Sequence, residues 1–263
     1  MPRVPAYFDA FLGAIAQGAA IDHVHLGYWD EPDAVGPSQA RAGFGRAQAR
    51  LSEHLIAMLD LQPGDRVLDV GCGFGGTLHA ICRTHPGVMP FGINIDARQL
   101  RVCLRSDAAA ANAAWVAADA CRLPFADAAF DRLLCVEAAF HFASRSAFFA
   151  EAHRVLPRGG VLVMSDFVLA RPPLPPGTIA AFADRLEADF GPWPALWTSL
   201  DEIRCNAERA GFALGMTDAT AHVRPSYHTI APDDRAELSG GVVLRELHRL
   251  GCLRYLHLRL DRR

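Results

Sequence analysis

The run Val67-Leu68-Asp69-Val70-Gly71-Cys72-Gly73-Phe74-Gly75-Gly76-Thr77 constrains the fold more than any other part of the chain. Val67, Leu68 and Val70 form a short apolar stretch of the kind that makes a buried strand. The glycines after it let the backbone turn sharply and keep side chains out of the space between it and a bound group. From Thr77 the pattern is helical. A strand, a glycine-rich turn and a helix start also open dinucleotide-binding units, and Gly71, Gly73 and Gly76 match their Gly-x-Gly-x-x-Gly spacing. Asp69, just ahead of the first glycine, points to a different ligand. A dehydrogenase reading is weak as well, because the second strand lacks the terminal acid expected about 20 residues after the turn.

A chain of 263 residues suits one large α/β domain, or one domain with an inserted cap. The net charge is −3 and no dense run of basic residues occurs, so neither nucleic acid nor an anionic membrane is expected as a partner. The first residues lack a signal-peptide core, and no segment reaches the roughly 18 unbroken apolar residues of a membrane span. Seven cysteines are scattered through apparent strands and helices. Cys82 and Cys135 read as small core residues, and no Cys-x-x-Cys pair suggests zinc. The composition predicts a reduced, cytoplasmic protein; a second copy of the chain as a partner stays open. His23-Val24-His25 has the look of a metal half-site, but no Cys, His or Asp partner lies at a helpful spacing, so no metal is expected.

Taken in order, residues 1–60 are mostly helical in pattern, with a helix from about Ser38 to Asp60. The helix after the glycine turn closes at His85-Pro86-Gly87, and Val88 to Ile95 is a second strand whose centre is not at Pro90. A helix over 97–111 leads to Trp115-Val116-Ala117-Ala118-Asp119-Ala120. Arg132 to Val136 is the fourth strand, and Glu137-Ala138-Ala139-Phe140-His141-Phe142 follows at its carboxyl end, where open α/β sheets put ligands. A helix over 144–155 precedes the fifth strand, Val161 to Phe167, with Asp166 near its end. The run Arg171 to Gly177, with five residues of proline or glycine, breaks the pattern, and the segment after it carries Phe182, Phe190, Trp193 and Trp197. A helix from Ser199 to Ala210, a sixth strand to about Thr220, a helix over about 232–249 and a strand Leu253 to Leu258 complete the chain.

Asp69-x-Gly71-x-Gly73 after a strand resembles the first motif of class I S-adenosylmethionine (SAM)-dependent methyltransferases. Leu26-Gly27-Tyr28-Trp29, Asp119-Ala120, Leu123-Pro124-Phe125 through Phe130-Asp131, the Leu156 to Gly160 turn and the Leu253-Arg254-Tyr255 strand resemble further motifs of that family, in its order. Gly92-Ile93-Asn94 through Gln99 resembles a subgroup pattern with serine where this chain has Asp96. The resemblance runs from Leu26 to Leu258. It implies a Rossmann-like seven-stranded, mainly parallel sheet with helices on both faces and a helical cap. It also implies SAM as cofactor, with S-adenosylhomocysteine (SAH) as product. By that resemblance Asp69, Gly71 and Gly73 wrap the amino-acid end of SAM, Tyr28 reaches over its carboxylate, Asn94 and Gln99 hold the ribose, and Asp119 with Ala120 reads the adenine. Glu137 joins this set.

The expected organisation is an N-terminal helical cap (1–60), a SAM-binding core (61–169), a lid insertion (170–199) and the rest of the core (200–263) with an acceptor segment at 222–249. In the small-molecule subgroup, whose members act on natural-product sugars, tocopherol-type phenols and ethanolamine-type amines, histidine stands where His141 does. Histidine is the side chain best suited to proton transfer near neutral pH, so His141 is the expected base, with Asp166 as its orienter or as a second base. Phe140, Phe142, Phe167, Trp193, Trp197 and Tyr227 are the expected acceptor contacts. A small-molecule acceptor follows, most naturally a hydroxyl of a secondary metabolite. C-methylation of a prenyl-like substrate, N-methylation of an amine, and a cyclase or binding protein on the same fold are the alternatives.

Overall fold

The computed structural model describes residues 7–106, 112–169, 174–194, 196–231 and 239–263. The first six residues, the end of the expected helix 97–111, Arg171 to Pro173 of the Pro-rich run and the start of the expected helix 232–249 lie outside the described residues.

The apolar run at 67–70 is strand β1 (Arg66–Val70), third from one edge of a seven-stranded sheet. The other strands are β2 (Met89–Asn94), β3 (Ala114–Ala117), β4 (Arg132–Val136), β5 (Val161–Leu169), β6 (Phe212–Asp218) and β7 (Leu253–Arg262). Their spatial order is β3-β2-β1-β4-β5-β7-β6. β7 runs antiparallel to both neighbours, and the remaining pairs are parallel. Side chains alternate along each strand and supply two cores, one per face. In β5, Val161, Val163, Phe167 and Leu169 join one cluster, while Leu162, Met164 and Val168 join the other. The strand is buried on both faces, which is why it reads as a continuous apolar run. Pro90 is tolerated because it is the second residue of β2, near the strand's start.

Helices cover both faces: α1 (Tyr7–Ala16), α2 (Pro37–Ala57), α3 (Gly76–Thr84), α4 (Ala97–Ser106), α5 (Arg145–Val155), α6 (Pro176–Phe190) and α7 (Leu200–Arg209). Three more lie in the last part, the single turns α8 (Thr220–Val223) and α9 (Tyr227–Ile230) and the longer α10 (Gly240–Arg249). Leu51, Leu55, Leu59, Leu78 and Ile81 from the α2–α3 side fill one core; Phe148, Phe149, Ala152, Ile203 and Ala207 from α5 and α7 fill the other. Ser144 caps α5 by accepting from the Ala147 N–H at 3.1 Å, and Ser199 with Glu202 makes a capping box at α7.

Two expectations change in extent. Half of the expected lid insertion is the regular helix α6, which begins at Pro176 because Pro175 and Pro176 stand at its N-cap and first position, where no N–H is needed. β7 and β5 run beyond their expected ends because they pair with each other over nine residues, Val161 with Asp261 through Leu169 with Leu253.

Candidate functional site

Successive strands leave β1 in opposite directions, to β2 on one side and β4 on the other, so a crevice opens beyond their carboxyl ends. The turn after β1 and the loop after β4 meet there. Gly71, Gly73 and Gly75 have φ of +78°, +54° and +86°. The N–H groups of Gly71 and Cys72 both donate to the Ile93 carbonyl, at 2.9 and 3.0 Å, which pins the turn to β2. A Cβ on Gly71 would lie 2.5 Å from the Ala138 Cβ, so the two loops touch with nothing to spare. Gly76 is as tight, since a Cβ there would lie 2.5 Å from the Asp22 carbonyl oxygen.

A cavity of about 850 Å³ opens above these loops. Asp69, Gly71, Gly73, Asn94, Asp119, Ala120 and Glu137 all line it, as do His141, Phe140, Phe142, Phe167 and Trp193. Asp69 is buried, its Oδ1 has no hydrogen-bond partner, and burial pushes its pKa up to about 7. A carboxyl left short of donors at the base of a glycine cradle suits a ligand that brings N–H groups, as the methionyl end of SAM does. Asn94 donates to Gln99 Oε1 at 3.2 Å and accepts from the Asp96 N–H at 2.9 Å. Glu137 is the anchor on the β4 side. Its Oε1 accepts from the Leu26 N–H at 2.9 Å and from the Tyr255 hydroxyl at 2.5 Å. Burial raises its pKa to about 8, so it is mainly protonated at neutral pH. Its backbone has φ of +45°, an uncommon conformation for a residue with a Cβ.

His141 ends a short 3₁₀ turn (Ala139–His141) after β4. Its Nδ1 lies 2.9 Å from the Pro192 carbonyl oxygen, and its Nε2 is 3.5 Å from the Tyr7 hydroxyl, the long limit of a hydrogen bond. The ring packs against Phe140 with centroids 4.2 Å apart. Burial lowers its pKa to about 4, keeping the imidazole neutral at physiological pH.

Five of the expected site residues sit elsewhere. Asp166 does not orient His141. It is fully buried and faces Arg145, whose Nε and Nη2 donate to its two oxygens at 2.6 and 3.2 Å. The Phe167 N–H donates to the same carboxylate at 2.9 Å, while the ring nitrogens of His141 face Pro192 and Tyr7 instead. Removing one partner strands a buried charge, and Arg145→Ala should cost about 3–5 kcal/mol in a denaturant titration. Tyr28 stacks on His222 at 4.4 Å and 7°, with His54 at 3.9 Å on the ring, and takes no part in the cavity wall. Two to five residues upstream, His23, Val24, His25 and Leu26 line the cavity instead. Gln99 is fully buried behind Asn94, so it supports that amide rather than facing the cavity. Trp197 lines a separate shallow groove beside Thr198, and Tyr227 is buried on α9 against His248.

Asp96, at the place of the usual serine, is taken up by Arg98, whose Nη2 lies 2.8 Å from Oδ2 and whose Nη1 also reaches Asp9 of α1 at 2.8 Å. The expected N-terminal cap includes α1, but none of its side chains was among the expected site residues. Tyr7, Phe8 and Phe11 line the cavity, and Tyr7 also meets Phe190 of α6 edge-on at 6.0 Å. Tyr7 and Phe11 stand four apart on a ten-residue helix, a spacing that puts both on one face and was the available signal. His25 Nε2 pairs with His23 Nδ1 at 3.0 Å, and no group of three or more ligating side chains occurs among the described residues.

A crevice at the switch point, a glycine-rich turn with a buried acid ahead of it and Asp119 in the same cavity wall are the arrangement of a class I methyltransferase. A methyltransferase-domain family model matches residues 68–164. The chain is 31% identical over 236 residues to the methyltransferase GfsG of Streptomyces halstedii, covering 88% of this chain and 80% of that protein. It is 33% identical over 227 residues to the 27-O-demethylrifamycin SV methyltransferase of Amycolatopsis mediterranei, covering 84% and 77%. Its fold matches a geranyl diphosphate C-methyltransferase of Streptomyces coelicolor over 100% of this chain and 99% of that one, with a TM-score of 0.76 at 18% identity. The cyclase SpnF matches over 97% and 93%, with a TM-score of 0.73 at 20% identity. The chain belongs to the SAM-dependent small-molecule methyltransferases, and SAM is its cofactor. No helix among the described residues is long and apolar enough to cross a membrane.

Proposed function

We propose that this methyltransferase acts on a hydroxyl of a bulky, uncharged secondary metabolite, and that His141 takes the hydroxyl's proton. The observation that carries the reading is a neutral imidazole set in an aromatic wall of the same cavity that holds the glycine cradle. SAM supplies an electrophilic methyl on a good leaving group. The protein's own contribution is alignment, exclusion of water and a base. Asp69, Gly71 and Gly73 would hold the methionyl end, Asn94 the ribose and Asp119 the adenine. In this reading the acceptor hydroxyl would pass its proton to Nε2 of His141 as it takes the methyl, and the electron pair of the broken methyl–sulfur bond would leave with SAH.

The cavity volume, near the upper end of the 300–1,000 Å³ typical of ligand pockets, supports a cofactor and a sizeable acceptor together. Its wall carries Asp22, Asp69, Asp119, Glu137 and Asp189 and no arginine among the described residues. A diphosphate buried there would lack the cation that offsets its desolvation, so an uncharged acceptor fits better. The relatives named for a rifamycin and for O-methylation agree with an oxygen acceptor. The aromatic wall of Phe140, Phe142, Phe167 and Trp193 also favours a second reading, C-methylation through a developing carbocation. The reduced cysteines support a cytoplasmic setting for this chemistry.

Incubation with methyl-labelled SAM and a panel of hydroxylated polyketides, phenols, sugars, amines and prenyl diphosphates tests the reading. Label is expected on an ether oxygen of a neutral acceptor. Label on carbon, or on a prenyl diphosphate alone, would replace it with the second reading.

A further inference from the structure

Among the described residues no carboxylate hydrogen-bonds to His141, whose Nδ1 faces a main-chain carbonyl instead. We infer that the main-chain carbonyl of Pro192 is the orienting partner of His141, selecting the tautomer whose Nε2 is free to take a proton, so that docking of the 191–194 segment completes the base. The inference rests on the reading of His141 as base for its function, but the tautomer itself can be measured without any turnover.

A carbonyl oxygen can only accept, so at 2.9 Å from it Nδ1 must carry the hydrogen. In a neutral ring the other nitrogen then bears the lone pair, and Nε2 is the one that faces the Tyr7 hydroxyl at the cavity wall. An unrestrained neutral histidine in water prefers the opposite tautomer, with hydrogen on Nε2, which would present a donor to the acceptor hydroxyl. The carbonyl therefore changes what the ring can do, beyond steadying it. A carboxylate in the same place would also stabilise the imidazolium and raise the pKa. A neutral carbonyl fixes the tautomer with less of that effect, which suits a base that must be unprotonated before the acceptor arrives.

Pro192 is held in place by its neighbours. α6 ends at Gly191, whose N–H donates to the Glu187 carbonyl at 2.8 Å and whose φ of +78° turns the chain back toward the sheet. Trp193 is then buried, with its ring 4.4 Å from Phe140 and 5.7 Å from Phe167. Phe140 precedes His141 in the chain, so one aromatic contact sets the carbonyl and the imidazole against each other. Trp193 is a positioning residue in this scheme.

The test is nitrogen NMR on protein carrying ¹⁵N-labelled histidine, saturated with SAH near neutral pH, with His141→Asn to assign the ring. In the wild type, Nδ1 of residue 141 should resonate as a protonated nitrogen and Nε2 as an unprotonated one. In Trp193→Ala the population should move toward protonated Nε2, and Trp193→Phe should restore most of the wild-type pattern. Protonated Nε2 in the wild type would overturn the inference, without reference to how any variant folds. So would an unchanged tautomer in Trp193→Ala that still binds SAH. Failure of the base reading is separate: it would show as normal turnover in His141→Ala, whatever tautomer the wild-type ring holds.

Discussion

Asp69→Ala and Gly71→Val should each weaken SAM binding, measured by calorimetry, by about 100-fold or more, roughly 3 kcal/mol. The two losses have different physical origins. Asp69 offers buried acceptor oxygens, one of them without a partner in the protein, and alanine removes them from a site where a ligand N–H would otherwise be satisfied. Gly71 is limited by its own backbone and its neighbour. Its φ of +78° is strained for any residue with a Cβ, and that Cβ would meet the Ala138 Cβ at 2.5 Å. Valine at 71 therefore pushes the turn and the loop after β4 apart, which displaces Glu137 and His141 along with the cradle. Asp69→Ala carries no such steric penalty and keeps the test decisive if the valine variant is poorly folded. Wild-type affinity in Asp69→Ala with the fold intact would remove the aspartate from the cofactor site.

His141→Ala should lower turnover by roughly 10²–10⁴-fold while leaving SAM affinity close to wild type, the usual size of a general-base contribution. The imidazole stands beyond the cradle and touches Phe140, Trp193 and Tyr7, so its removal leaves Asp69, Asn94 and Asp119 where they are. The pH dependence follows from its burial. With a pKa lowered to about 4, the ring is unprotonated through the neutral range, and protonation destroys the lone pair only as pH falls toward that value. At saturating SAM, which removes the effect of Asp69 titrating near 7 on cofactor binding, the histidine's contribution should thus be constant across neutrality and be lost on the acid side well below the ordinary histidine range. The variant should lack that acidic limb. Asp166→Asn should act differently from what a catalytic orienter predicts, because Asp166 answers Arg145: it should lower stability and leave the acidic limb in place. Full turnover in His141→Ala with the true acceptor would make the histidine structural.

The parts of the site that lie within one short stretch are legible in the amino-acid sequence. The turn at 71–76 and His141 after β4 are local signals, a strand end followed by residues of suitable chemistry, while Asn94 at the end of β2 and Asp119 after β3 are marked by resemblance to motifs of the methyltransferase family. All of them line one cavity because a parallel sheet brings its carboxyl ends to the same edge. Tyr28 shows where this reasoning stops. The motif at 26–29 marks the right stretch of chain, but which side chains around it turn inward depends on His54, His222 and Gln48, from two distant elements. Asp166 is the same case. Its place at the end of β5 suggests His141 as partner, yet Arg145 reaches it first from the start of α5.

Local periodicity and turn chemistry in this sequence determined the order of strands and helices, the glycine cradle with its acid, the neutral or acidic residues at the strand ends and the histidine after β4. Those properties depend on residues a few positions apart, whose geometry the backbone imposes directly. The tertiary structure alone decided that Pro192 rather than Asp166 faces His141, that α1 closes the cavity with Tyr7 and Phe11, and that Glu137 is buried where the Leu26 N–H and the Tyr255 hydroxyl both donate to it. Each of these joins groups 51 to 134 residues apart in the chain. Contacts at that separation are selected by how the two cores pack and by which buried polar groups must be satisfied, and a short window of sequence carries neither.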